Sequence, residues 1–380
     1  MKKRIIRLSK SCLTTKEKSL VNKVLDKEFL GMGPEVKNFE NELKDFFKRD
    51  VVCFNSGTAA LQVALQSVGI KPNDEVLVPC ITYVASFQAI SATGAKPIMC
   101  DIDENTLQIC LKSIKKNITK KTKVIMPVHY SGSVGKLKEI NTLAKKRNLR
   151  IIEDAAHAFG TKFKNKRIGS FGDITCFSFD GIKNITSGEG GCLVTNDKKV
   201  INLAKDIRLL GVSNESNKRY LGHRSWINDV KIQGWRYHMS DINAAIGRAQ
   251  LKKFNFFSKR RKELCKFYDK QFLNKTKIIT FKRNFNEEVP HIYVIRILNL
   301  KKREVLRKKL QKLGIQTGIH YIPGYKFTKY KKNKKFFKNT EKIYKEILTL
   351  PLHPDLSKKD IKFVCQKLNL VLKTNLKKIK

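Results

Sequence analysis

The chain holds 380 residues, 41% of them apolar, and carries 79 basic against 33 acidic side chains for a net charge of +46. That length fits one large core and a smaller second one, and the apolar share excludes a disordered or low-complexity chain. The charge points toward nucleic acid, yet 62 positives are lysine and only 17 are arginine, the preferred phosphate and base reader; the reading is a solvated basic surface with no dedicated nucleic-acid partner.

The first residues, MKKRIIRLSKSCLTTKEK, lack the apolar core and small-residue cleavage site of a signal peptide. From about residue 50 to 195, short apolar runs alternate with stretches of helical spacing. The expected strands are VVCF (51–54), EVLVP (75–79), KPIMC (96–100), KVIMPV (123–128), LRIIE (149–153), DITCFSF (173–179) and GCLVT (191–195). TAALQVALQSVG (58–69) and GKLKEINTLAKKRN (135–148) read as helices between them. The alternation predicts an α/β domain with a large, mostly parallel sheet covered on both faces. Toward its end the helices drop out, and 173–195 is expected to pair locally.

MSDINAAIGRAQLKKFNFF (239–257) is a further helix, with Ser240 and Asp241 as N-cap candidates. A basic helix (258–273), a strand HIYVIRI (291–297), a helix REVLRKKLQKLG (303–314), a strand IQTGIHY (315–321) and helices near 340–348 and 357–370 follow. These give a smaller α+β domain, so the expected division is 1–255 and 256–380. The lysines are densest in KKNKKFFK (331–338), and no apolar run approaches the ~18 residues of a membrane span. Nine cysteines without a CxxC pair, including Cys53, Cys80, Cys100, Cys110, Cys176 and Cys192 in or beside apolar segments, read as reduced thiols of a soluble cytoplasmic protein. With seven histidines, no metal cluster is expected.

Three stretches carry chemistry. In FNSGTAALQVAL (54–65) a strand ends and Ser56-Gly57-Thr58 open a helix, where unpaired amides and the helix dipole favour phosphate; an ordinary Ser N-cap has the same pattern. In LRIIEDAAHAFG (149–160) a strand runs into Glu153 and Asp154 at its C-terminal end, where open α/β sheets bind ligands. Small Ala155 and Ala156 leave room there for a flat ligand, and His157 lies one turn on if a helix begins; a helix cap and a surface histidine are the plainer alternative. In CFSFDGIKNITSGEGG (176–191) Lys183 follows a strand that carries Ser178, and among 62 lysines nothing local sets it apart. Together, however, they supply a phosphate cradle, an anion for a pyridine nitrogen and an amine for a Schiff base, the set that pyridoxal 5'-phosphate needs. Tyr83, at the start of the next helix, adds a ring for stacking.

In these residues the chain resembles the DegT family of pyridoxal-phosphate-dependent sugar-nucleotide aminotransferases, of fold-type I, over nearly its whole length. GMGPEVKNFENEL (31–43), NSGTAAL (55–61), EDAAHAFG (153–160), SFDGIKNITSGEGG (178–191), GWRYHMSDINAAIGRAQL (234–251), GIQTGIHYIP (314–323) and LPLHPDLS (350–357) match the family's signatures in order and spacing. The resemblance implies a seven-stranded large domain and Lys183 as Schiff-base lysine and proton carrier. It places Asp154 on the pyridine nitrogen, Tyr83 on the ring face, and Gly57, Thr58 and Ser178 on the phosphate. His157 is implied near the cofactor's phenolic oxygen or the substrate, and His320 and Tyr321 at the substrate. It further implies a homodimer with shared active sites and a ping-pong cycle, with glutamate as donor and a nucleotide-linked keto-sugar as acceptor for surface glycan synthesis.

Three positions depart from the family pattern. Arg236 stands where Asn is frequent, in the loop that reaches the partner's cofactor phosphate, and arginine serves as a phosphate clamp. Asp180-Gly181 replaces a His-Pro or Tyr-Pro pair, and GYKF follows HYIP where a second His is common. These changes leave the sugar open. The NITSGEGG loop resembles that of members acting on 4-keto-6-deoxy sugars, with a 3-keto sugar or cyclitol ketone as the alternative. A dehydratase relative would have histidine in place of Lys183. A nucleic-acid-binding or regulatory protein on the same scaffold is the reading of a different class.

Overall fold

The structure, a computed structural model, describes residues 5–213, 215–223, 229–332 and 337–377. Its central sheet contains β1 (Asp50–Phe54), β2 (Glu75–Pro79), β3 (Lys96–Cys100), β4 (Thr122–Ile125) and β5 (Arg150–Asp154). A short hairpin of β6 (Lys162–Phe163) and β7 (Lys166–Arg167) interrupts it, and β8 (Ile174–Ser178) and β9 (Gly191–Thr195) complete it. The order across the sheet is β1-β9-β8-β5-β4-β2-β3. Only β9 runs antiparallel, against both β1 and β8; the other pairs are parallel. The seven expected strands are therefore present to within one to three residues at their ends, and 173–195 does pair locally.

Strand residues alternate between two cores, as a sheet covered on both faces requires. Val52, Phe54, Val76, Val78, Val124, Ile152 and Cys176 pack on one side, while Val51, Cys53, Leu77, Ile125, Ile151 and Phe177 pack on the other. Farther along, β10 (Ile278–Thr280), β11 (Tyr293–Ile297) and β12 (Ile347–Leu350) form a separate antiparallel sheet. Helices Phe254–Phe272, Arg303–Lys312 and Lys358–Lys377 give it a core of its own, which also takes in Ile6. Among the described residues no helix is long and apolar enough to cross a membrane.

Three expectations change. Residues 315–321 form no strand; Ile315 and Gly318 each make a single bridge, to Ile6 and Thr349, as the chain leaves the small sheet for the cleft. The alternating apolar pattern there reflects packing at isolated positions rather than a ladder. The helix expected near 340–348 ends at Glu346, because the apolar run Ile347–Leu350 with its β-branched residues pairs with β11. Helix 239–257 breaks at Lys253 into Asp241–Lys252 and Phe254–Phe272. Of the basic run 331–338, residues 333–336 lie outside the described residues.

Ser240 caps its helix as expected, its Oγ accepting the Asn243 amide. Asp241 instead caps another helix. Gly33 precedes helix Pro34–Phe47 without a side chain to offer, and Asp241 accepts the amides of Gly33 at 2.8 Å, Glu35 at 3.2 Å and Val36 at 3.1 Å. Asp241→Ala leaves three donors unmet at a buried helix end and should cost ~2–3 kcal/mol in urea denaturation. A loss below ~0.5 kcal/mol would show that water replaces the carboxylate there.

Candidate active site

All the parallel strands end on one edge of the sheet, and a cleft of about 410 Å³ opens there. Gly57, Thr58, Tyr83, Asp154, His157, Ser178, Lys183, His320 and Tyr321 line it, so nine of the expected site residues meet in one place. Arg236 does not join them. Its side chain is exposed, and its carbonyl accepts from Asn55 Nδ2 beside the cleft.

One end of the cleft is built by close backbone approach. Ser56 Oγ accepts the Ala59 amide as N-cap of helix Gly57–Ser67, which leaves the earlier amides of Gly57 and Thr58 opening on the cleft. In register Gly191 faces both Phe54 and Ser178. A Cβ on Gly191 would stand 2.6 Å from the Gly57 backbone, and one on Gly57 would stand 2.8 Å from Ser178 Cβ. Two glycines thus let three strand ends converge into a small cradle of amides and hydroxyls. The Ser56 cap and the anion cradle coexist; one does not exclude the other.

At the other end the two carboxylates of β5 separate, as strand geometry dictates. Glu153 points away and meets His129 Nε2 at 2.6 Å. Asp154, 5% exposed, turns into the cleft. Ser86 Oγ donates to its Oδ2 at 2.7 Å and the Ala156 amide to its Oδ1 at 3.2 Å. Among the described residues it has no ion-pair partner, so a buried anion stands ready for a cationic ligand. Ser86 escaped the sequence reading, although its place three residues after Tyr83, on the first turn of helix Val84–Ser91, is the available signal. Tyr83 is 59% exposed, with its ring 5.6 Å from that of Tyr321.

Lys183 sits on the turn after β8, its amide donating to the Asp180 carbonyl. Burial lowers its pKa, opposed by the carboxylates of Asp180 and Asp154 and assisted by the Arg261 guanidinium. The loop behind it is pinned by Asn243 Nδ2 on the Ser187 carbonyl and by Asn184 Nδ2 on the Phe159 carbonyl. His157 lies on a turn rather than a helix, because the chain bends at Ala155–Gly160. Its Nε2 is 2.8 Å from the Tyr321 hydroxyl, and the Ser131 amide donates to its Nδ1. His320 Nδ1 meets Thr349 Oγ1 at 2.9 Å.

Away from the cleft, Cys12, His353 and Asp355 lie close enough to share an ion. Lys10 already pairs with Asp355 at 2.5 Å, and burial pushes the Cys12 thiol up to about 11. The group is accounted for as an ion pair beside a protonated thiol.

The profile of the DegT/DnrJ/EryC1/StrS aminotransferase family matches residues 11–369. The chain belongs to this family. It is an aminotransferase. Among DegT-family relatives, GDP-perosamine synthase of Escherichia coli O157:H7 is 37% identical over 94% of this chain and 96% of its own length. The spore coat polysaccharide biosynthesis protein SpsC of Bacillus subtilis is 35% identical over 93% of both. Spr1654 from Streptococcus pneumoniae, solved in PLP and PMP forms, superposes with TM-scores of 0.90 and 0.91 at 29% identity, covering 97% and 98% of this chain and 99% of its own in each form.

The DegT-family cleft fits that cofactor on its own terms. It has a cradle that any Cβ would fill, a buried carboxylate without a cation, and a desolvated amine between them. Neutral imidazoles are buried in and behind it. Burial holds His157 and His291 well below 6.5 and brings His320 to about 4, with the Lys183 charge adding to each. A lowered folded-state pKa means that the unfolded chain binds protons first, so this stability is complete above about 6.5 and is lost as pH falls. The melting temperature should drop steadily from about pH 7 to about pH 5, and His291→Gln should flatten the slope, since each such histidine contributes up to ~1.4 kcal/mol per pH unit. A pH-independent melting temperature across that window would mean that these rings take up protons in the folded protein as readily as in the unfolded chain.

Proposed function

We propose that this chain transfers an amino group from glutamate to a nucleotide-linked keto-sugar in a ping-pong cycle serving surface glycan synthesis. Pyridoxal phosphate is its cofactor. The observation that carries the reading is the convergence of Lys183, Asp154 and the Gly57–Thr58–Ser178 cradle in one cleft. The named relatives act in the same direction, one as a GDP-perosamine synthase and one in spore coat polysaccharide biosynthesis. The loop NITSGEGG favours a 4-keto-6-deoxy sugar as acceptor.

Within this reading, the amides of Gly57 and Thr58 and the hydroxyl of Ser178 hold the phosphate. Asp154, oriented by Ser86 and Ala156, keeps a proton on the pyridine nitrogen. Tyr83 offers its ring face. Bound pyridoxal phosphate supplies the carbonyl carbon that carries the nitrogen and an electron sink for the pair left on the substrate carbon. Lys183 would hold it through its amine and, with that amine free, would take the proton from the donor's α-carbon as a positioned base and return it, as an acid, to the carbon that came from the cofactor's carbonyl. Its lowered pKa raises the fraction of free amine available for that work. His320 and the cleft-facing carboxylate of Asp180 border the substrate side. Arg236, exposed on its own chain, reaches the phosphate of a second copy in a homodimer with shared sites.

Purified protein should absorb in the near-visible, lose that band with borohydride, and carry the resulting label on Lys183. Lys183→Ala should retain cofactor binding while turnover falls by at least about 10³-fold. A label on another lysine, or colourless protein that cannot be reconstituted, would overturn the assignment. A panel of keto-sugar nucleotides with glutamate, read by product mass, identifies the acceptor; activity confined to 3-keto substrates would reverse the 4-keto preference.

A further inference from the structure

Lys183 is flanked by space on two sides. It lines the cleft and, alone of the described cleft residues, also lines a much smaller cavity of about 10 Å³ behind its turn. Gly181, Asn184, Cys12 and Arg261 share that rear wall. Arg261, on helix Phe254–Phe272, is 2% exposed and makes no ion pair among the described residues. Its Nη1 donates to the His291 carbonyl at 2.9 Å and to the Leu352 carbonyl at 3.4 Å, and its buried Nε meets no acceptor among the described residues. The thiols of Cys12 and Cys265 stand beside it as potential anions, but burial pushes them up to about 11 and about 12. At neutral pH both are therefore uncharged, whereas the guanidinium, which burial brings down only to about 10, keeps its proton. A buried cation held by carbonyls alone is costly, and packing by itself does not account for one at this position.

We infer that Arg261 is a positioning residue: its charge, set behind Lys183 and unpaired among the described residues, holds the Lys183 amine in the unprotonated form that reacts with carbonyl compounds. The use made of that amine rests on the pyridoxal phosphate reading above; the relation between the two charges does not. In the condensation the nitrogen's lone pair forms the new C–N bond, and the carbonyl oxygen leaves as water with the amine's two protons. A protonated amine has no lone pair to give. The groups around Lys183 oppose one another on this point. Asp180 on its own turn and Asp154 at the end of β5 favour the ammonium form, while burial and Arg261 disfavour it. His157, His291 and His320 are kept neutral by burial and add no charge at neutral pH. Glu189 lies farther along the cleft beside Asp180, and Lys10, on the rear wall, is paired with Asp355. Without Arg261, two carboxylates would draw a proton to the amine against desolvation alone. A second cation beside a desolvated lysine is a general route to a reactive amine, and here the cation comes from a helix that packs on the small sheet.

Competitive labelling with a trace of acetic anhydride reads the titration midpoint of each lysine by peptide mass spectrometry. The full chain is used, after hydroxylamine has removed any bound aldehyde. Wild-type Lys183 should titrate below the exposed lysines of the same sample. Arg261→Gln, which keeps a donor for the His291 carbonyl and loses the charge, should raise the Lys183 midpoint by about one pH unit. Arg261→Lys, which keeps the charge, should leave it within about 0.3 unit of wild type. Lys259→Gln, at an exposed position on the same helix, should not move it, because solvent screens that charge. A packing role for Arg261 predicts instead that its two variants shift the midpoint alike. An unchanged midpoint in Arg261→Gln, an equal shift in Arg261→Lys, or a wild-type Lys183 that titrates with the exposed lysines would each overturn the proposal. If Arg261→Gln fails to fold, Arg261→Met, an apolar chain of similar reach, takes its place in the same comparison. Protein that stays colourless with added pyridoxal phosphate and still shows the Arg261 shift would count against the cofactor reading and support the charge relation.

Discussion

A buried carboxylate with no ion-pair partner among the described residues is the constraint around which this molecule is arranged. Asp154 lies at the end of a central strand, held by one hydroxyl and one amide and paired with no cation among the described residues. A charge in that position is costly unless something positive arrives. The neighbouring Glu153 shows the contrast: one residue earlier, on the opposite face, the same group meets the His129 ring at 2.6 Å. One acid thus meets an imidazole behind the sheet, and the other faces a desolvated amine and a cradle of backbone amides.

The sheet order explains how distant segments serve that arrangement. Six strand ends, from β1, β2, β3, β4, β5 and β8, deliver their following loops to one edge. The single antiparallel strand is the exception that matters most. Because β9 enters between β1 and β8 with Gly191 first, the cradle loop and the Ser178 strand approach across a residue that has no side chain. Its antiparallel direction also requires the chain to return to the same edge after β8, and that return is the segment carrying Lys183. Topology, and not local sequence, places the lysine.

What could be read from the residues follows from the range of the interactions. The seven strands were legible because each alternates between two buried faces over five residues or so. The cradle, Asp154 and Lys183 were legible as a set, although Lys183 has no distinguishing neighbours in sequence. Features built by one long-range bond were not legible. Asp241 lies more than 200 residues from the helix it caps, and Ser86 and Ser131 acquire roles only through the strands they adjoin. The same holds for 315–321, whose alternating pattern imitates a strand while only two of its residues find single partners. Arg236 marks the remaining limit, since a residue exposed on one chain has its meaning decided by whatever covers it.

The contrast between Lys183 and the rest of the basic surface has a kinetic consequence. Sixty-two primary amines share this chain, and carbonyl compounds react with the unprotonated form alone. An ordinary lysine at neutral pH is unprotonated in roughly one molecule in a thousand or fewer. Desolvation enlarges that fraction at Lys183 and leaves the solvated majority suppressed. A lysine-rich coat is thus compatible with selective aldehyde chemistry in the cleft: the surrounding water acts as a protecting group for the solvated amines.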